Sequence, residues 1–495
     1  MNEMNLSWAA PEILLLTLAL AVLVIDLFVS DARRNVTYAV ALLSIAAVIV
    51  LCGRLLALDD VRYAFGGMYV ADPMTNLLKI VASLLVGFML VYAQGYARDR
   101  GLWRGELFAL SLFVLLGIFV MISGNHLLVI YLGLELQSLS LYALVALRRD
   151  DARASEAAMK YFVLGALASG FLLYGMSMLY GATGSLDINA IAHIAGNGVV
   201  SSRPALVLGT IFIIAGVAFK LGVAPFHMWV PDVYHGAPTA ITILVGSAPK
   251  LAAFAIAYRL LVEGLLPLAI EWQKMLVVLA LVSLVVGNVT AIAQSNLKRM
   301  LAYSTIGQMG FMLLAMLSGV VGSSAQGAAN AYSAAMFYVI TYALTTLGTF
   351  GIILLLAREG FEAEEISDLR GLNRRNPWFA FVMLLLMFSL AGVPPTVGFF
   401  AKLFVLQALL GNGASTGIIW LAVIAVLLSL VAAYYYLRVV KTMYFDEPTD
   451  SHPIVATPDM RAALSLNGAL VLVLGVAPQY LLALCSNAIA KALSG

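Results

Sequence analysis

Charge is scarce in this chain: only 11% of its 495 residues are Asp, Glu, Lys or Arg, against roughly 25% in an ordinary soluble domain. That excludes a fully solvated surface. Polar sequence is equally short. The two longest polar stretches, residues 358–376 (REGFEAEEISDLRGLNRRN) and 445–460, cannot form a domain of their own. The two cysteines, Cys52 and Cys485, lie in or beside apolar runs without a CxxC partner. An iron–sulfur cluster, a structural zinc and a disulfide argument are all unsupported. No GxGxxG and no Walker sequence occurs, so nothing points to NADH, flavin or ATP bound by this chain. Among the five histidines only His227 and His235 are close in sequence, and Pro231 between them argues against a shared haem-binding face. Neither a metal site nor a nucleic-acid partner is expected.

What the chain has in abundance is apolar sequence, 62% of all residues. A helix needs about 20 mainly apolar residues to cross about 30 Å of hydrocarbon. Fourteen such runs start near Pro11, Val36, Pro73, Glu106, His126, Glu156, Ala205, Ala237, Trp272, Leu297, Gln326, Trp378, Gly417 and Arg461. The fold class is therefore an all-α integral membrane protein, one helical bundle in the bilayer. The leader MNEMNLSWAAPE has two acids and no basic residue, so the first run is expected to be a helix and not a cleaved signal. Loops after odd-numbered runs contain seventeen Lys and Arg, and the opposite loops six. Basic loops stay cytoplasmic, which places both termini on the other side. The six tryptophans lie near helix ends and read as interfacial anchors.

Two runs are interrupted alike: the seventh by Gly222-Val223-Ala224-Pro225, the twelfth by Gly392-Val393-Pro394-Pro395. Proline in a helix interior removes a backbone bond at a cost of about 3 kcal/mol. In lipid such backbone persists only where it is buried in protein or lines a water-filled cavity. The interruptions are five helices apart. Repeats of five crossings must face opposite ways, so helices 4–8 (106–263) and 9–13 (266–441) are expected to form an inverted pair, flanked by helices 1–3 (1–105) and helix 14 (461–485).

Ionisable residues within apolar runs are costly, about 2.5–3.5 kcal/mol each for Lys or Asp near mid-membrane, and usually mark ion or proton paths. Four stand out: Glu135, Lys220, Lys250 and Lys402. Desolvation weakens the hold of an ammonium on its proton and a nearby carboxylate restores it. Glu135 and Lys220 are accordingly expected to pair as a switch, with Lys250 as relay and Lys402 as terminal donor or acceptor. His227 and His235 are candidates for links between Lys220 and Lys250. Lys160, four residues after Glu156, is either a further relay group or half of a helical i, i+4 pair. Asp26, Asp72 and Lys79 read as interfacial or inter-subunit contacts, and Gly165, Ser169 and Gly170 as small residues for close helix packing.

The segments ELQSLSLYALVALRRDDARASEAAMKYFVLGALASGFLLYG, AFKLGVAPFHMWVPDVYHGAPTAITILVGSAPK and SLAGVPPTVGFFAKL resemble the antiporter-like membrane subunits of proton-pumping NADH:quinone oxidoreductase, respiratory complex I. The resemblance covers nearly the whole chain. It implies fourteen helices, two inverted five-helix repeats, broken helices 7 and 12, and a hydrated mid-membrane axis. It also implies roles in proton transfer for the residues at the matching positions: Glu135, Lys160, Lys220, Lys250 and Lys402. Flavin, iron–sulfur clusters and quinone would belong to partner subunits, with no cofactor in this chain; its partners would be other membrane-arm subunits and the bilayer of the bacterial inner membrane. A subunit of a multi-subunit Mrp-type cation/proton antiporter is the alternative, since it shares these motifs. Helix 10 offers Ser304 and Thr305 but no acid to match Glu135.

Overall fold

The computed structural model describes residues 5–320, 325–411, 414–449 and 452–494. The first four crossings are α1 (Ala10–Asp26), α2 (Asn35–Leu56), α3 (Pro73–Asp99) and α4 (Gly105–Ser123). A two-stranded antiparallel hairpin, β1 (Arg62–Ala64) with β2 (Tyr69–Ala71), joins α2 to α3 with Arg62 opposite Ala71. α5 (Leu127–Val145) and α6 (Ala152–Thr183) follow, then a short α7 (Ile188–Gly196). The seventh crossing is split into α8 (Arg203–Leu221) and α9 (Trp229–Gly236), and the eighth bends between α10 (Thr239–Gly246) and α11 (Ala248–Ala257) before a π-helical turn at Tyr258–Gly264. α12 (Ala269–Ile292), α13 (Leu297–Ser318) and α14 (Ala325–Leu356) lead through a short α15 (Leu372–Arg375) to the split pair α16 (Pro377–Ala391) and α17 (Val397–Leu410). α18 (Thr416–Phe445), α19 (Pro458–Val476) and α20 (Pro478–Ser494) close the chain.

Twelve helices among the described residues are long and apolar enough to span a bilayer, with α16 and α17 as shorter apolar pieces. Counting α16–α17 as one interrupted crossing and adding the 17-residue α1 gives the fourteen expected. The helices meet backbone to backbone, because lipid provides no hydrophobic drive between them and small residues are needed for close contact. A Cβ on Gly117 of α4 would lie 2.5 Å from the Gln137 nitrogen of α5, and one on Gly287 of α12 would lie 2.6 Å from the Gly307 nitrogen of α13. Gly165 is closed off in the same way by the Tyr142 hydroxyl, whereas Gly170 faces open space.

Loops following odd-numbered crossings gather at one end of the bundle. There Glu362 receives Arg100 at 2.8 Å and Arg148 at 3.2 Å, and Asn296 bridges to Glu365. The loops after even-numbered crossings meet at the other end, where Tyr69 bridges to Gly124 and His126 to Asp187. The alternation read from the basic residues is thus reproduced in space.

The last crossing differs from the expected uninterrupted helix over 461–485. It breaks at Ala477-Pro478, because Pro478 cannot donate a bond back into α19. Gly475, just before the break, packs onto the α16–α17 connection: a Cβ there would be 2.0 Å from the Pro395 carbonyl oxygen. The sequence signal was present, since LGVAP at 474–478 repeats LGVAP at 221–225.

Asp72 and Lys79 are core residues and not interfacial contacts. Lys79 is fully buried and pairs with Glu12 at 2.6 Å, its ammonium also donating to the Tyr69 hydroxyl at 3.0 Å. Asp72 caps the N-terminus of α3 and pairs with the buried Arg259, which also holds Glu263. Asp26 is nearer the expected boundary position, bonded to Thr37 at 2.8 Å and to Arg34. Two tryptophans read as anchors are also interior: Trp272 donates to the Leu265 carbonyl, and Trp229 lies beside the first broken helix. Breaking a buried pair by removing one partner strands the other charge at a cost of about 3–5 kcal/mol. Lys79→Ala is therefore expected to lower thermal stability well beyond Lys491→Ala, whose ammonium reaches Asp59 at the exposed surface. Thermal unfolding of both purified variants in detergent checks this, and equal midpoints would refute it.

Candidate functional site

The site is built on the two interrupted crossings. α8 ends on Gly222, whose φ of 76° is open to glycine without a Cβ penalty. The nitrogens of Gly222 and Val223 both return to the Ala218 carbonyl, at 2.9 and 3.0 Å. The Gly222 nitrogen also reaches the Phe219 carbonyl at 3.0 Å, which leaves the Lys220 and Leu221 carbonyls in need of donors. The Phe219 carbonyl receives Trp229 Nε1 at 3.0 Å, and the Lys220 and Leu221 carbonyls receive Lys250 Nζ at 3.3 and 2.8 Å. The freed Ala224 nitrogen donates to Ser283 Oγ at 2.9 Å. Every one of these donors comes from outside α8, which is why the break survives in an apolar setting.

The second break repeats the plan with different residues. α16 ends on Gly392, φ 86°, and the nitrogens of Gly392 and Val393 both return to the Phe388 carbonyl. The Leu390 and Ala391 carbonyls receive Lys402 Nζ at 3.1 and 2.9 Å, and Leu390 also receives Gln308 Nε2 at 3.0 Å. Lys402 is thus the geometric counterpart of Lys250, each ammonium lying at the negative end of a half-helix dipole. Leu390, two residues before its glycine, takes the place that Lys220 holds before Gly222. A Cβ on Gly222 would come within 3.3 Å of Lys250 Nζ, and one on Gly392 within 2.9 Å of Lys402 Cδ. The glycines make room for the lysines.

Lys220 and Lys250 are brought together as expected, but Lys220 does not touch Glu135. Its Nζ donates to Ser138 Oγ at 2.6 Å, and Ser138 is one turn beyond Glu135 on α5. Glu135 is half-buried, and its Oε1 is shielded without any hydrogen-bond partner. A hydroxyl therefore stands where direct contact was expected. Lys402 similarly donates to Ser429 Oγ on α18 at 2.8 Å. Lys250 Nζ reaches the Lys220 backbone carbonyl directly, with neither histidine between them. His235 faces Glu364 at 3.4 Å, and half-buried His227 keeps an unpartnered Nδ1 beside the first break. Lys160 forms the i, i+4 pair with Glu156 at 2.8 Å and also reaches Asp232 of α9 at 2.8 Å.

Two small cavities, largely apolar but with polar groups in their walls, lie beside the two breaks. One is lined by Gln137, Tyr161, Lys220, Trp229 and Lys250, the other by Gln308, Tyr338, Tyr342, Thr345 and Ser389. Each measures about 10 Å³ at water centres, space for a single water and not a continuous file. Uncharged groups occupy the region near the second cavity. Tyr342 donates to Thr305 at 2.7 Å, Thr345 meets Ser389 at 3.2 Å, and Gln308 bonds Tyr338 and Tyr436, the latter also touching Ser304. Sequence reasoning looked for charges and passed over this set. A signal existed: Tyr338, Thr341, Tyr342, Thr345, Thr346 and Thr349 recur at helical spacing within the apolar α14.

Beyond the membrane, the loop after α14 closes one end of the site. Glu364 accepts from Lys298 at 3.4 Å and faces His235. Burial alone would raise this carboxyl, but the hydrogen bond from His235 and the charges of Lys298 and His235 outweigh it and hold it down at about 2. A depressed carboxyl stabilises the fold fully above its ordinary value of 4.5 and loses that contribution as pH falls toward 2. Glu364→Gln should lower the unfolding midpoint at neutral pH and converge with the parent in the acid limb. A pH-independent difference would disprove the assignment.

A family model described as NADH:quinone oxidoreductase/Mrp antiporter, transmembrane, matches residues 124–431. The chain is 60% identical to NADH-quinone oxidoreductase subunit N of Herminiimonas arsenicoxydans, with all of each chain covered, and 58% identical to subunit N of Polaromonas naphthalenivorans, with 98% of each covered. Among solved structures it is similar to a chain of respiratory complex I from Thermus thermophilus with bound aureothin, at 32% identity and TM-score 0.80 over 96% of this chain and 98% of that one. A chain of the Mrp complex from a Dietzia species shares the fold, with TM-score 0.85 at 21% identity over 99% of this chain and 98% of that one.

Proposed function

Since this chain belongs to the family of NADH:quinone oxidoreductase and Mrp antiporter transmembrane subunits, we propose that it moves protons along Glu135, Ser138, Lys220 and Lys250 in its first half and through Lys402 in its second. It is a proton-translocating membrane-arm subunit of NADH:quinone oxidoreductase, of the subunit N type, assembled with other membrane subunits as a multi-pass protein of the bacterial inner membrane. The observation that carries the site assignment is the matched pair of breaks, each with a buried lysine on the open carbonyls of a half-helix. Full-length identity of 60% to a subunit N favours this reading over an Mrp antiporter, for which the shared family model and the fold speak.

The remaining roles follow from the same chemistry. The chain does no redox work: NADH oxidation, the flavin, the iron–sulfur clusters and quinone reduction belong to partner subunits. Residues 106–263 and 266–441 act as inverted repeats; the close α4–α5 and α12–α13 pairs, which fall at equivalent places, support that reading. The excess of basic residues at the odd-loop end supports both termini lying away from the cytoplasm. Lys160 and Asp232 are positioned to load protons at the cytoplasmic end, where Arg299 also holds Asp232 at 2.9 Å. Affinity purification through this chain tests the assignment. Flavin- and cluster-bearing subunits with inhibitor-sensitive NADH:quinone activity should co-elute; their absence, with sodium- or proton-exchange activity retained, would replace it with the antiporter.

A further inference from the structure

Outside the lysine axis, three arginines share one concave surface where the α1–α2 turn meets the α3–α4 turn. A pocket of about 480 Å³ is lined there by Asp31, Arg34, Asn35, Arg98, Trp103 and Arg104. Its walls hold three arginines and Asp31, and with Asp26, which pairs with Arg34 from behind, the group carries a net charge of +1. Arg34 is tied down by Asp26 and Asp31, and Arg98 by Asn35 Oδ1 at 2.5 Å. Arg104 is exposed, and its side chain makes no hydrogen bond or ion pair among the described residues, its backbone alone bonding Leu102 and Leu107. Two donors behind the walls, Arg34 Nε and Trp103 Nε1, are buried without an acceptor, so the exposed Arg104 guanidinium is the donor group open to the pocket. The arrangement offers positive charge and N–H groups without a matching acceptor.

Its position defines the acceptor. The pocket is at the end of the bundle where the basic loops gather, the level of lipid headgroups. Tyr38, Trp103 and Phe108 pack together there, ring centroids 4.9–6.1 Å apart, with the Arg98 guanidinium 5.3 Å from the Trp103 ring. Aromatics of this kind sit among headgroups. Apolar surface adjoins the polar pocket: Leu27 and Phe28, 75% and 86% exposed, precede it, and Val36 and Leu43 on α2 are also open. A ligand with a phosphate at one end and long hydrocarbon at the other satisfies both parts.

We propose that this pocket binds the phosphate headgroup of an anionic phospholipid, with its acyl chains along the exposed face of α2. Arginine suits the task because its planar fork matches phosphate oxygens. The bound lipid neutralises the spare charge of the α1–α4 corner and steadies it against the rest of the membrane arm.

The test uses the assembled complex in nanodiscs of phosphatidylcholine containing a trace of photoactivatable phosphatidylglycerol. Crosslinks are mapped by peptide mass spectrometry. Labelling of residues 31–43 and 98–104 is expected, competed by unlabelled phosphatidylglycerol and not by the same concentration of inorganic phosphate. Arg98→Gln with Arg104→Gln should weaken labelling tenfold or more, at about fivefold per arginine. Arg104→Gln alone, at an exposed side chain, should weaken it severalfold with assembly intact. No labelling of these peptides would overturn the proposal, as would labelling unchanged in Arg104→Gln. Displacement by inorganic phosphate at equal concentration would make the pocket a free-anion site and overturn the lipid assignment.

Discussion

Lys220→Met should reduce proton-coupled NADH:quinone turnover on the order of 10²-fold, the scale lost when a positioned proton-transfer group is removed. NADH oxidation by a hydrophilic artificial acceptor should continue at the parental rate. Methionine keeps most of the length and apolar bulk of the side chain. The packing of α8 is therefore retained, and Lys250 still finds the backbone carbonyls of residues 220 and 221. What disappears is the ammonium donated to Ser138 and its connection through that hydroxyl toward Glu135. Ser138→Ala removes only one neutral partner, worth about 1 kcal/mol, and should cost severalfold. The measurement pairs proton uptake into inside-out vesicles with NADH oxidation in complexes of verified subunit content. Parental rates and proton-to-electron ratio in the methionine variant would end the relay reading of Lys220.

Gly475→Ala should be, with Gly398→Ala, whose Cβ would lie 1.8 Å from the Ser389 carbonyl oxygen, among the most damaging conservative substitutions near the second break. A Cβ on Gly475 would lie 2.0 Å from the Pro395 oxygen, 2.6 Å from the Thr396 carbonyl carbon and 2.7 Å from the Val397 nitrogen. All three are backbone atoms and cannot rotate away. Overpacking of a tight core costs typically about 1–3 kcal/mol, and relief here requires moving the start of α17. Lys402 lies on that helix, with its Nζ held by the carbonyls at the end of α16. Both thermal stability and pumping should therefore fall. Gly170→Ala and Gly181→Ala on α6, where a Cβ meets nothing within 4 Å, should leave both unchanged or slightly improved, since alanine is the better helix former. Equal behaviour of the Gly475, Gly170 and Gly181 variants would show that the α19–α20 bend is not fitted to the α16–α17 break.

Much of this was legible in one dimension because lipid simplifies the rules. Every backbone group must be satisfied internally, so apolar length becomes crossings and proline becomes interruption. Fourteen crossings and two of the three breaks could be read that way. The third, at Ala477-Pro478, repeats the LGVAP of the first break, but with no ionisable residue beside the proline α19 and α20 read as one apolar run. Lys79 shows the converse. Near the start of its helix it read as a boundary group, but α1 and the β1–β2 hairpin fold over it and supply Glu12, distant in sequence, and Tyr69, 10 residues before it.

The chain's composition by itself determined a bilayer-spanning helical bundle, its alternating ends and the lysines whose burial demands a purpose, because each follows from local length, charge and the price of polarity in hydrocarbon. Only the tertiary structure decided which oxygens those lysines meet. Partner choice depends on how helices distant in sequence approach one another: Lys250 and Lys402 became equivalent because each finds the open carbonyls of a half-helix, and Lys220 met a serine instead of a glutamate because α5 presents Ser138, one turn on, at the point of contact.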